Sequence, residues 1–240
     1  MIFRVYYTRS NTTRNYISMK KKSKIGDAGN YAITVSVYVA VFCVLEKTLK
    51  VLLGRIDQGL NQEFWSLPGE EINKRESLDD GAKRVLADTL GMKSVYLEQL
   101  FTLGDPQKNK QGRSVSVTYL SLVYGDVPEY DTEYYRWFSV QRLSNIVPDH
   151  KKIIRLGVSR LRSEMEQSTL ACILLPREFT LTELQSLYES ILGNPLDKRN
   201  FRKKILSLGI IRETGYIRVG EANRPAQLYM FSSRSIKRIT

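Results

Sequence analysis

The feature that most constrains this fold is one amphipathic helix, residues 77–90, set inside a chain that reads as β on both sides of it. Ser77 with Asp80 three residues on resembles a capping box. Leu78, Ala82, Val85, Leu86 and Leu90 fall on one helical face, and Gly91 stands where the residue after a helix belongs. Ahead of it, residues 32–45 are rich in Val, Thr and Tyr, and residues 50–54 follow across a turn at 46–48, which predicts a hairpin. Residues 64–67 then run into Pro68-Gly69, a turn signal. Behind the helix, residues 95–103, 114–124 and 136–140 read as strands. Strands, a helix and more strands predict an α+β fold, a mixed sheet with helices packed on it.

The last 65 residues follow another grammar. Thr180 reads as an N-cap with Glu183 at N3, and Phe179 is placed to staple against Leu184, so a helix should run to Leu192 and stop at Gly193. After Asn194-Pro195-Leu196, Asp197 caps a second helix whose buried face is Phe201, Ile205 and Leu208, and Gly209 ends it. Lys198, Arg199, Arg202 and Lys203 crowd its outward, N-terminal side. Two strand runs, 210–214 and 227–231, follow with a flexible Gly/Asn/Arg/Pro loop between them. Helix, tight turn, basic helix and hairpin predict a winged helix-turn-helix. The expected organisation is a basic flexible arm at 1–30 (Met1 and Met19 both standing as starts), a mixed-sheet domain at 31–150, a basic linking helix at 151–175 and the winged helix at 176–240.

Charge separates the same regions. Residues 31–150 hold 13 Lys+Arg against 16 Asp+Glu, a net of −3, whereas residues 151–240 hold 17 against 8, a net of +9. Residues 1–30 hold 7 against 1. A mildly acidic body with a basic end is expected where only the end meets a polyanion, the plain alternative being a solvated basic surface. The apolar run from Tyr31 to Leu45 is interrupted by Thr34 and Ser36 and falls short of the roughly 20 residues a membrane helix needs. The first 30 residues lack the apolar core of a secretory signal. Cys43 and Cys172 sit among aliphatic residues and read as buried thiols, so the expected compartment is the cytoplasm.

The helix at 77–90 lies inside a longer pattern. Trp65-x-Leu67-Pro68-Gly69, then Glu76, Arg84, Leu86, Gly91 and Met92 resemble the Nudix box. Four departures matter: Glu70 replaces the opening glycine, and Val85, Asp88 and Thr89 stand where three helical glutamates follow the arginine. In Nudix hydrolases those carboxylates hold Mg²⁺, a hard cation that needs several anionic oxygens. With two of the three gone, the departures imply that metal binding and pyrophosphate hydrolysis are lost. Residues 96–106 and 112–119 extend the resemblance to ADP-ribose pyrophosphatases and to the Nudix-related transcriptional regulators, the NrtR family with the related arabinose-responsive regulators. Leu196-Asp-Lys-Arg-Asn-Phe-Arg-Lys203 and the segment around Arg224 are similar to the same regulators' winged helix.

That resemblance implies an effector-responsive repressor of NAD or sugar metabolism genes, with a palindromic double-stranded DNA operator and a homodimer as partners. It implies ADP-ribose or a related sugar compound as effector, and neither a metal nor a required cofactor. The alternative is a working Nudix hydrolase with a nucleic-acid-binding tail. For the effector, Arg55 and Arg113 are the cationic candidates, and Phe64, Trp65 and Phe101 the stacking candidates, each aromatic having a core position as its alternative. His150, the one histidine, is expected to cap or to join domains. For DNA, Arg199, Asn200 and Lys203 are candidates for base edges or phosphates, Lys198, Arg202 and Lys204 for phosphate, and Arg224 in the wing for a minor groove.

Overall fold

The computed structural model describes residues 33–56, 64–91, 96–105, 113–124, 134–220 and 223–239; the arm at 1–30, Met92 and the side chain of Arg224 lie outside the described residues. The spine of the molecule is the parallel pairing of β1 (Ile33–Leu45) with β6 (Arg113–Leu122), in register from Ile33↔Arg113 to Phe42↔Leu122. Successive side chains of a strand point to opposite faces, and in β1 both faces are buried. Val37, Val39 and Val41 belong to one core cluster, Ala40 and Phe42 to the other. That is why β1 reads as an almost unbroken apolar run rather than an alternation.

A two-residue turn, Glu46 (φ 51°) and Lys47 (φ 58°), joins β1 to β2 (Thr48–Ile56) as the hairpin expected. The two strands stay paired only from Leu45↔Thr48 to Phe42↔Val51. Farther on, β2 pairs with β3 (Phe64–Ser66) and β7 (Tyr135–Ser139), while β4 (Gly69–Glu71) takes its place beside β1 at Ser36–Tyr38. Pro68-Gly69 is therefore not a turn but the step by which the chain passes from one pairing to the next. A Cβ at Gly69 would lie 2.2 Å from the Tyr38 ring, so only glycine permits this close approach. On the far side, β5 (Tyr96–Leu103) pairs antiparallel with β6 and forms an edge of the sheet.

One helix covers each face. α1 (Leu78–Leu90), capped by Ser77 and stopped at Gly91 in the left-handed conformation, buries Ala82, Val85, Leu86 and Leu90 against Val37, Val39, Val41 and Leu52. Asp80 does not close a reciprocal box; its carboxylate accepts from the Ser77 hydroxyl instead (2.7 Å). α2 (Pro148–Gln167) covers the opposite face with Ile153, Ile154 and Leu161. Gly157 lets it approach, since a Cβ there would meet the Phe42 ring at 2.8 Å. The linking helix thus begins at Pro148, a proline in its favoured first helical position, and ends at Gln167 rather than near 175. Ser168 adopts extended backbone, and a short 3₁₀ turn, Leu170–Cys172, follows. None of the helices among the described residues is long and apolar enough to cross a membrane.

β8 (Phe179–Thr180), α3 (Leu181–Leu192), α4 (Lys198–Ser207), β9 (Ile211–Gly220) and β10 (Asn223–Phe231) build a winged helix with a three-stranded sheet. The Thr180–Glu183 capping box is present in both directions. The wing is longer than the sequence suggests, because the stretch read as a flexible loop is strand up to Gly220 and again from Asn223. The turn-like residues sit at irregularities of the ladder. Gly215 (φ 81°) lies at the register shift between Gln227 and Tyr229, and Pro225, which has no N–H to offer, lies between Asn223 and Ala226.

The core under α2 runs without a break into α3, α4 and β10, through Leu184, Ile191, Phe201, Ile205 and Phe231. Two polar contacts close the joint: the Ser190 hydroxyl, its proton shared with the Ser186 carbonyl one turn back (2.6 Å), reaches the Lys47 carbonyl at the β1–β2 turn (2.9 Å), and Arg162 Nε donates to the Ile191 carbonyl (3.0 Å). Residues 232–239 fold back along the end of α2. Thr169 N–H donates to the Lys237 carbonyl, and Ile239 N–H to that of Gln167.

Candidate functional site

The box helix α1 carries its charged residues beside β4. Arg84 Nε donates to Glu76 Oε1 (2.7 Å), and its Nη2 donates to Glu76 Oε2 (2.9 Å) and to the Glu71 carbonyl (3.1 Å). Its Nη1 reaches Glu70, the residue that replaces the box glycine. Glu76 also accepts from the Asn73 N–H (3.0 Å) and side-chain amide (3.1 Å). The Arg84 hydrogen bond, with Asn73 in support, holds the Glu76 carboxyl down at about 2, and the same pairing raises Arg84. Two acids and one guanidinium are therefore committed to one another.

The three positions where helical glutamates stand in the box have three different fates. Val85 is 2% exposed and part of the core. Thr89 is buried, with its side chain beside the Tyr135 phenol on β7. Asp88 is exposed. No group of three His, Cys, Asp or Glu side chains among the described residues is arranged to hold a metal ion. Mg²⁺, which the fold family implies here, does not fit a donor set of one exposed aspartate beside two carboxylates already paired with arginine.

The effector candidates fall into two groups. Arg55 on β2 is exposed and in register with Trp65 on β3, next to half-buried Phe64. Trp65 itself is 4% exposed and packs against Phe138 (4.8 Å), with the Arg136 guanidinium over its ring at 5.3 Å. Phe101, on the edge strand β5, is partly exposed with the Lys152 ammonium 5.7 Å from its ring centre. Arg113 is exposed at the start of β6, opposite Ile33. The strand order puts Arg55, Phe64 and Trp65 on one side of β1 and Phe101 and Arg113 on the other. His150 lies in the first turn of α2, where its Nδ1 accepts from the Leu67 N–H (3.0 Å) and its ring lies 4.6 Å from Tyr38. It joins α2 to the β3–β4 step rather than capping the helix.

At the other end, Asp197 caps α4 by accepting from the Asn200 N–H (2.8 Å). Phe201 and Ile205 face inward, the former edge-on to Tyr188, which leaves Arg199 and Lys203 on the opposite face of the helix. Lys198, Arg199, Asn200, Lys203 and Lys204 are exposed. Asn200 and Lys204 lie at one flank and border a cavity of about 260 Å³ walled by Met165, Tyr188 and Leu196. Arg202 turns to the other flank and is half-buried. Its Nη2 reaches the Thr182 hydroxyl (3.5 Å), and its Nε lies inside the protein without a hydrogen-bond partner. Arg224 belongs to β10.

Sequence reasoning missed the pairing of Glu70 with Arg84, although a carboxylate standing at the box's opening glycine position was its visible trace. It also missed Tyr135 and the Ser190–Lys47 joint, which no local pattern announces.

A Nudix-type sheet with a box helix, fused through a shared core to a winged helix, defines a class of two-part regulators rather than a free-standing hydrolase fold. Family models match both parts: the NUDIX domain over residues 36–157 and the NrtR DNA-binding winged helix domain over residues 171–231. The chain belongs to the NrtR family of Nudix-related transcriptional regulators. It is 31% identical to the ADPR responsive transcriptional repressor NtrR of Acinetobacter baylyi over 82% of each chain. It is similar to the crystal structure of Shewanella oneidensis NrtR complexed with a 27mer DNA, with 29% identity and a TM-score of 0.70 over 82% of this chain and 93% of that one. An ADP-ribose pyrophosphatase of Methanocaldococcus jannaschii is 24% identical over 57% of this chain and 82% of its own length.

Proposed function

We propose that this chain is an effector-responsive repressor that grips duplex DNA through α4 and the wing, and that binds ADP-ribose or a related sugar compound in its Nudix domain without hydrolysing it. The observation that carries this reading is the pairing, on one continuous core, of a box helix without a magnesium-holding carboxylate set and a capped helix with Arg199 and Lys203 facing outward. Hydrolysis of a pyrophosphate needs charge neutralisation at the leaving oxygens, which the donor set around Asp88 does not supply. Phosphate recognition then falls to arginines and main-chain amides, with Arg55 and Arg113 as the candidates. Both the name of the Acinetobacter relative and the DNA complex of the Shewanella relative support the assignment.

Ligand control requires that ADP-ribose bind the DNA-free and DNA-bound forms with different affinity. The β1–β2 hairpin supplies a physical connection, since β2 carries Arg55 and its turn rests on α3 through Ser190. The reading includes a homodimer on a palindromic site, control of NAD or sugar metabolism genes, and action in the cytoplasm. Fluorescence anisotropy on a promoter fragment with ADP-ribose titrated in tests it: the expected result is release or tightening at saturating ligand. DNA affinity unmoved by any nucleotide sugar or pentose would remove the switch. AMP appearing from ADP-ribose with Mg²⁺ at many turnovers would favour the hydrolase reading to which the Methanocaldococcus relative points.

A further inference from the structure

The wing presents aliphatic surface on β9. Ile217 is 57% exposed and Val219 70% exposed, the most open aliphatic side chains among the described residues. They alternate along β9 and so share one face of the ribbon, next to its tip. Arg218, between them, points to the other face, where it pairs with Glu183 (2.7 Å) and donates to the Glu178 carbonyl (3.4 Å). That cation is thus held by the module itself. A lone exposed aliphatic residue needs no explanation, but two β-branched neighbours on one face near the tip form a patch.

We propose that Ile217 and Val219 are contact residues for duplex DNA, pressing apolar atoms into the minor groove beside the site occupied by α4. This rests on the reading of the chain as a DNA-binding regulator. Duplex is favoured over a second copy of the wing because residues 151–240 carry a net +9, seventeen cations against eight acids, which repels its own duplicate and attracts a polyanion. Aliphatic wedges suit a groove whose hydrogen-bond pattern is degenerate but whose width and stacking vary with sequence. On this account α4 reads base edges with Arg199 and its neighbours, while the wing reads shape.

The test uses the full chain with Ile217→Thr and Val219→Thr combined, which keeps β-branched shape on an exposed strand, and with Val219→Thr alone should the pair impair folding. The probe is a fluorescent duplex recovered by selection on the wild-type protein from a random library. The expected result is binding weakened by about tenfold, the worth of one or two buried methyl groups. The slope of log affinity against log salt should stay unchanged, because no phosphate contact is lost. Unchanged affinity overturns the proposal, as does a flatter salt slope. A shift in mass by light scattering without a change in DNA affinity overturns it in favour of contact between copies. If the wild-type protein selects no duplex even at low salt, the regulator reading itself fails, an outcome distinct from the others.

Discussion

The two amphipathic helices α1 and α4 use the same local devices to opposite ends. Each is opened by a side-chain cap, Ser77 or Asp197, and each buries one apolar stripe. α1 has Asp79 and Asp80 in its first turn, where the helix dipole welcomes negative charge, and its arginine is closed off by Glu70 and Glu76. The first turn of α4 has no acidic residue but holds Lys198 and Arg199, cations at the positive end of the dipole. A chain selected for stability alone would not place them there. Charges that satisfy one another mark a strut, and charges set against their own helix mark a surface built for an outside partner.

If that contrast is right, the helices will fail differently. Leu86→Ala, fully buried under α1, should cost about 3 kcal/mol in urea-induced unfolding, the range for a truncated core leucine. A loss near zero would mean that α1 is not a strut. Arg199→Ala should weaken DNA binding by about 2 kcal/mol while leaving the melting temperature in place. A drop in melting temperature with intact DNA affinity would reverse the assignment.

Arg84→Ala should show the opposite pattern, about 1 kcal/mol of stability lost with DNA affinity unchanged, because Glu70 and Glu76 would be left without their shared cation. Its pH dependence sharpens the point. Glu76 is lowered from 4.5 to about 2 in the folded protein, so its contribution is complete above about 4.5 and disappears as pH falls toward 2. The Arg84→Ala variant should lose stability less steeply than wild type across that window. The smallest effect is expected for Lys198→Glu, which should raise stability by about 0.5 kcal/mol by suiting the α4 dipole while weakening DNA binding.

What could be read from sequence follows from the range of the forces involved. The caps, the stops at Gly91 and Gly193 and the buried stripes of α1 and α4 are set by residues within a few positions of one another, and all were legible. The Pro68-Gly69 step was misread because its conformation is dictated by Tyr38 and β1, thirty positions away, and not by its neighbours. The wing was cut short because Gly215 and Pro225 are loop residues by composition, yet a β-bulge accommodates both. The box departures were visible as letters, but the burial of Val85 and the hold of Tyr135 on Thr89 needed the fold. Arg202 read as an outward phosphate contact, and only packing turns it toward Thr182.

The joint between the two halves has a consequence for how such a protein can diverge. At the β1–β2 turn the group that Ser190 grasps is a peptide oxygen, present whatever side chain stands at position 47. Surface drift on the hairpin can therefore alter charge and shape freely without unfastening it. Lengthening the turn by a single residue would displace that oxygen and cost this one fastening, while the continuous core under α2 would still hold the halves together, so the hairpin tolerates new side chains more readily than new length.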